Sequence, residues 1–251
     1  MVLQIARRQI APAALQASCD RIYFGAEFCE FLIPSPESLC AIAAQGKPLS
    51  LILPYCTDRT MGKVERLLEA IDPAWPDFEI ITNDYGVLRM VKSLAYITPV
   101  CGRLLTQGLV NQFENQLIPM PNNVAVFLKS EYRVTRYEIS VTRRKLRHHG
   151  NTTLPADLHF SMYLPFQYVT TSRQCVLRFR NVAPNTPLDQ IGCDRKCQDR
   201  VYKIGYPEHV EESLYLKGNT LFVRYANFPY TPQELKDLGV DRLVYANELQ
   251  G

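Results

Sequence analysis

Short apolar runs alternate along this chain with stretches whose apolar positions recur every three or four residues. Val2 to Ile5 is strand-like, Ala13 to Cys19 helical, Arg21 to Gly25 strand-like, Pro36 to Gln45 helical and Leu49 to Tyr55 strand-like again. Such alternation predicts β/α units around a parallel sheet. Leu49-Ser50-Leu51-Ile52-Leu53 is almost continuously apolar, as a strand covered on both faces requires. From Met61 to Ile71 the period changes: Val64, Leu67, Leu68 and Ile71 share one face of a helix, with Lys63, Glu65, Arg66 and Glu69 opposite.

Phe78 to Ile81 supplies a fourth strand, and Asn83 or Asp84 can cap a helix through Val87, Leu88 and Val91. Tyr96 to Val100, Arg136 to Val141 and Leu158 to Leu164 read as strands five to seven, and a helix from Gln233 to Leu238 leads into an eighth at Asp241 to Tyr245. Prolines and asparagines interrupt any helix between Gly102 and Ser130, so that region reads as irregular. Eight strands can close a barrel, and the expected fold is α/β: a single TIM-like β/α barrel domain over residues 1–251. Residues 171–226 form a long cysteine-bearing insertion between strands seven and eight. Within it, Ser213 to Leu216 and Thr220 to Tyr225 make a hairpin about Gly218-Asn219.

Composition narrows the classes of function. With 47% hydrophobic and 21% charged residues and no linker-like tract, the chain reads as one globular unit. A net charge of +3 gives no footprint for nucleic acid, and the basic run Arg143-Arg144-Lys145-Leu146-Arg147-His148-His149 reads as a solvated loop. No run approaches the roughly 20 apolar residues of a transmembrane span, and the start of the chain, with Arg7-Arg8 and Pro12, lacks a signal-like segment. The expected location is therefore cytoplasmic. Thiols stay reduced there, so the eight cysteines are better explained by packing and metal ligation than by disulfides.

Cys193 and Cys197 stand in a polar, glycine-flanked loop, close enough to share one metal centre. Cys175 follows the seventh strand and Cys29 the second, which in a parallel barrel puts both at the carboxyl-terminal rim. Cys29, Cys175, Cys193 and Cys197 are thus candidate ligands. Zinc and an iron–sulfur cluster both suit four thiolates, although a three-residue gap fits zinc less well than two. Cys19 and Cys40 fall in helical patterns and read as packing residues. Cys56 and Cys101 each follow a strand and are held as reserve ligands.

Several of these segments resemble the collagenase-like peptidase family, and within it the UbiV-like branch. Arg21-Ile22-Tyr23-Phe24-Gly25-Ala26-Glu27-Phe28-Cys29 looks like that family's second strand and first ligand loop, Asn83 to Met90 like its fourth strand-to-helix turn, and Arg136 to Ser140 like its sixth strand. Cys175 with Cys193 and Cys197 matches its late ligands. The resemblance implies a 4Fe-4S iron–sulfur cluster on these four cysteines. It also implies a part in oxygen-independent hydroxylation in ubiquinone biosynthesis, with a UbiU-like barrel protein as heterodimer partner and a lipid-carrier protein as a further accessory. The family's peptidase signature, two closely spaced cysteines after a Gly-Ser or Gly-Ala step, is absent, which removes the main support for proteolysis.

Two further candidates lie outside the cysteines. Glu138, in the sixth strand, can point inward as a base or substrate ligand, or pair with Arg136 or Arg173. Arg173, like Arg178, flanks Cys175 and can hold an anion or offset thiolate charge. Glu27 precedes Cys29 by two positions, and neither His159 nor His209 has a partner visible in the sequence. The rival reading is a non-catalytic subunit whose metal staples the insertion to the barrel.

Overall fold

The computed structural model describes residues 2–5, 19–107, 110–111, 116–117, 122–148, 157–180, 182–187, 190–198, 200–205, 213–225 and 227–246. In chain order the elements are β1 (Val2–Ile5), β2 (Arg21–Gly25), α1 (Pro36–Ala43), β3 (Leu49–Leu53), α2 (Asp58–Glu69), β4 (Glu79–Thr82), α3 (Tyr85–Val91) and β5 (Thr98–Cys101). Next come β6 (Val110–Asn111), β7 (Gln116–Leu117), α4 (Asn122–Tyr132), β8 (Arg136–Ser140), β9 (Arg147–His148), β10 (His159–Leu164) and β11 (Phe166–Thr171). The chain continues through α5 (Val176–Phe179), β12 (Tyr202–Ile204), β13 (Leu214–Lys217), β14 (Thr220–Arg224), α6 (Pro232–Asp237) and β15 (Val240–Ala246).

Seven strands form a parallel sheet in the order β2-β3-β4-β5-β8-β10-β15, curled into a half-barrel. Taken by itself this sheet is open. Only the four residues of β1 bridge its outer strands, Val2 pairing with both Arg21 and Val244. The expectation of a single TIM-like barrel is corrected accordingly. Helices α1, α2 and α3 follow β2, β3 and β4 in regular β/α fashion and α4 follows β5 after the short β6 and β7, but β8 leads to the short β9, and β10 leads directly into a second sheet. That sheet is antiparallel, in the order β11-β14-β13-β12.

Burial explains the curvature. On the outer face, Ile22, Phe24, Leu51 and Ile80 pack with Leu39 of α1 and Val64 and Leu67 of α2. Each fully buried side chain of this kind contributes roughly 1.5–3 kcal/mol. On the inner face, Tyr23, Ile52, Ile81, Val100, Tyr163 and Val244 form a separate cluster, completed by Phe166 and Phe222 of the antiparallel sheet. The second sheet therefore covers the end of the half-barrel to which the parallel strands run.

Charged residues fill the opposite, strand-start end. Arg242 donates to both oxygens of Glu79 at 2.7 and 2.9 Å, Ser50 Oγ donates to Glu79 at 2.6 Å, and Arg21 lies 3.4 Å from the same carboxylate. Burial pushes the Glu79 carboxyl up, but Arg242 and Arg21 outweigh it and hold it below the ordinary range.

One secondary-structure expectation needs amendment. Asn122–Tyr132 is a helix rather than irregular chain, with Ala125 and Leu128 buried while Val126 and Phe127 face outward. Apolar residues on both faces erased its period. The expected helix from Ala13 lies outside the described residues, apart from Cys19.

Candidate metal centre and adjoining cleft

The loop bearing Cys29 is fixed at both ends. Gly25 turns the chain at φ +130°, where a Cβ would come within 2.2 Å of the Ile52 carbonyl oxygen, so only glycine fits. Beyond Cys29, Glu30 accepts hydrogen bonds from Thr57 N at 3.0 Å, Thr57 Oγ1 at 2.7 Å and Thr60 Oγ1 at 2.9 Å, which tie the loop to the start of α2. Burial raises the Glu30 carboxyl, yet these bonds bring it below its usual range. Asp84 caps α3, its Oδ1 accepting from Gly86 and Val87. Asn83 instead donates to the Glu27 and Leu53 carbonyls and accepts from Leu104 N, joining three strand ends.

Cys175 does not follow the seventh parallel strand directly, as expected; it follows β11 of the antiparallel sheet and begins α5. Arg178, one turn on, donates from Nε to the Ile191 carbonyl at 3.0 Å and so links this turn to the segment carrying Cys193. Its guanidinium also lies 4.9 Å from the Phe31 ring. These contacts give Arg178 a structural tie between loops. Cys197 sits against the hairpin tip, where a Cβ on Gly218 would lie 3.3 Å from its Sγ. Asn219, next in the tip, donates from Nδ2 to Phe28 O at 2.9 Å and to Ser172 O at 2.7 Å.

Cys29 and Cys197 consequently feel neighbouring thiols. Burial pushes Cys29 up to about 12, and the charges that Cys197, Cys193 and Cys175 would carry push it further in the same direction. Cys197 is pushed up to about 11 by burial and then by Cys175 and Cys193. Three segments distant in sequence thus meet within electrostatic reach. Among the described residues no three His, Cys, Asp or Glu side chains form a group that could hold a single metal ion. Tetrahedral zinc needs its sulfurs about 2.3 Å from one point, whereas a cluster distributes four thiolates over separate irons.

The reserve cysteines stay apart. Cys56 donates from Sγ to Pro54 O at 3.3 Å, and its rise to about 12 comes from burial, Asp84 and Glu30 rather than from another thiol. Cys101 rises to about 12 through burial alone, packed on the outer face beside Tyr137. Cys19 is core, as expected, but Cys40 is exposed on α1 instead of packed.

A cleft of about 980 Å³ opens beside Cys29 and Cys175, lined also by Phe31, Tyr55, Arg59 and Arg173. Arg173 is exposed there, its guanidinium 4.2 Å from the Tyr55 ring. Glu138 lies elsewhere, wholly buried inside the half-barrel, and no contact joins it to Arg173. Nor does it pair with Arg136, which binds Asp241 together with His159. Tyr23 donates to Glu138 Oε1 at 3.0 Å, while Oε2 and the Tyr163 hydroxyl have no hydrogen-bond partner among the described residues. Burial raises the Glu138 carboxyl to about 8, with Arg242 opposing and Glu79 adding to the rise.

Sequence reasoning missed Arg103. Its Nε donates to Glu27 Oε1 at 2.7 Å, Nη2 pairs with Oε2, and its guanidinium stacks 3.9 Å from the Tyr163 ring. A carboxylate as buried as Glu27 needs a cation, and a basic residue just past the fifth strand was the available signal. The basic run is held against α6, Lys145 pairing with Glu234 at 2.6 Å and His148 Nε2 lying 2.7 Å from Asp237 O. His149 and His209 lie outside the described residues. No helix among the described residues is long and apolar enough to cross a membrane. No family model matches the chain, and neither does any curated protein or solved structure.

Proposed function

We propose that the protein is an iron–sulfur protein in which Cys29, Cys175, Cys193 and Cys197 hold a four-iron four-sulfur cluster at the edge of the cleft. On this reading it serves oxygen-independent hydroxylation, in ubiquinone biosynthesis or a related pathway, in the cytoplasm and alongside a UbiU-like partner. The observation that supports it is the hairpin tip, where Asn219 bonds the segments before Cys29 and Cys175 and Gly218 adjoins Cys197, with Cys29 and Cys197 each feeling the charge of Cys175 and Cys193. Such a cluster, when bound, supplies one-electron chemistry.

The chain's own residues do the rest. Glu30 anchors the Cys29 loop to α2, and Arg178 ties the Cys175 turn to the Cys193 segment. Arg173, stacked on Tyr55 in the cleft wall, offers a guanidinium to an anionic group of a bound molecule. A second reading, a metal that only staples the antiparallel sheet to the half-barrel, draws support from the separation of Glu138 and Arg173.

Anaerobic purification and reconstitution followed by iron, sulfide and zinc analysis tests the first reading. About four irons and four sulfides per chain, with a broad visible absorption, is the expected result. Stoichiometric zinc without sulfide, or a colourless chain lacking all three, contradicts it. Arg173→Ala separates the second reading: a stapling metal predicts unchanged pathway activity with the metal retained.

A further inference from the structure

We propose that Asn219 is the positioning residue that holds the Cys29 loop and the Cys175 turn against the hairpin tip beside Cys197, so that the fold itself sets how these three thiols approach one another. This deepens the cysteine-site reading above and rests on it. Metal sites rarely exist in the unfolded chain, and ligands on separate loops ordinarily gather only as the metal binds. Here one side chain bridges the loops directly.

Its Nδ2 carries two hydrogens and uses both: one bond reaches Phe28 O, the residue before Cys29, and the other Ser172 O, three residues before Cys175. The Asn219 carbonyl in turn accepts from Ser172 N at 3.0 Å and Thr171 Oγ1 at 3.3 Å, so the end of β11 is held from two directions. Asn219 Oδ1 accepts from Thr220 Oγ1 at 3.1 Å, which fixes the orientation of the carboxamide. Gly218 supplies the third contact. At φ +62° and without a side chain it lets the tip close on Cys197. Cys193 follows through the short turn to Cys197 and the Arg178 bond to Ile191. Aspartate has no donor for the two carbonyls, and leucine keeps the bulk of asparagine with no polar atom.

The test uses the full-length metal-free chain and dibromobimane, which becomes strongly fluorescent when it alkylates two neighbouring thiols; peptide mass spectrometry identifies the linked pair. Wild-type protein is expected to link Cys29 to Cys175 or Cys197 efficiently relative to single alkylation of the same thiols. Asn219→Ala and Asn219→Leu should lower that efficiency about tenfold while far-ultraviolet circular dichroism stays unchanged. Should the alanine variant fail to fold, the leucine variant carries the test. Loss of a supporting hydrogen bond around a metal site commonly costs 10–100-fold in affinity, so iron should leave reconstituted variants for a chelator faster by a similar factor. Equal cross-linking in wild type and a folded variant overturns the proposal, as does equal iron retention with an identical electron paramagnetic resonance spectrum. If cross-linking falls but neither chain takes up iron and sulfide, the role of Asn219 stands and the iron–sulfur reading fails.

Discussion

The two ends of the curved sheet treat their polar side chains in opposite ways. At the strand-start end, Arg21, Ser50 and Arg242 surround Glu79 and neutralise it within the fold. At the strand-end side, four thiols gather whose ionised forms would repel one another, and two of them are pushed up to about 11 and 12. The first arrangement is complete without any ligand. In the second, burial and the neighbouring thiols favour the protonated forms of Cys29 and Cys197, and a metal would have to bind their thiolates. One end is neutralised within the fold, and the other is the end at which the proposed metal would bind.

That contrast can be broken most forcefully at the strand-start end. Arg242→Ala leaves Glu79 buried with too little positive charge, and a loss of about 3–5 kcal/mol is expected in urea unfolding at neutral pH. Glu138 sharpens the comparison in the opposite sense. Its folded carboxyl titrates near 8 against an ordinary value of 4.5, so the folded chain keeps a proton that the unfolded chain releases. The stability it lends is full below the ordinary value and is lost as pH rises towards 8. Glu138→Gln should remove this loss, gaining on the order of 4 kcal/mol above about pH 8 and little near pH 4. Urea midpoints at the two pH values check it.

Smaller effects follow at ordinary structural sites. Thr231 caps α6 in a reciprocal pair with Glu234, and Thr231→Ala should cost about 1 kcal/mol by the same unfolding measurement. Smallest of all, Cys175→Ser in the metal-free chain should change stability by less than about 1 kcal/mol, since that thiol is only partly buried. A loss as large as that of Arg242→Ala would erase the distinction between the two ends.

Much of the sheet was legible because its signals are local. Leu49 to Leu53 is apolar enough to declare a buried strand, and Gly218-Asn219 announces a hairpin wherever it occurs. What failed depended on distant partners. β11 and β12 are strands only because β14 and β13 lie beside them, and nothing within Phe166 to Thr171 separates it from a loop that simply continues β10. The regular barrel was inferred by counting strands, which says nothing of what covers β8 and β10. Among candidate site residues, Cys29, Cys175, Cys193 and Cys197 were proposed from thiol chemistry, expected rim placement and the family resemblance. The partner of Glu138 could not, because Tyr23 lies four strand positions away around the sheet interior and its hydroxyl looks like any other in sequence.

Replacing the eight cysteines by serine one at a time, with iron and sulfide measured after anaerobic reconstitution, tests the central claim most directly. The account predicts that the cluster is lost or unstable in the variants at Cys29, Cys175, Cys193 and Cys197, and is retained at Cys19, Cys40, Cys56 and Cys101. Full loading in any of the first four, or loss confined to Cys56 or Cys101, would contradict it.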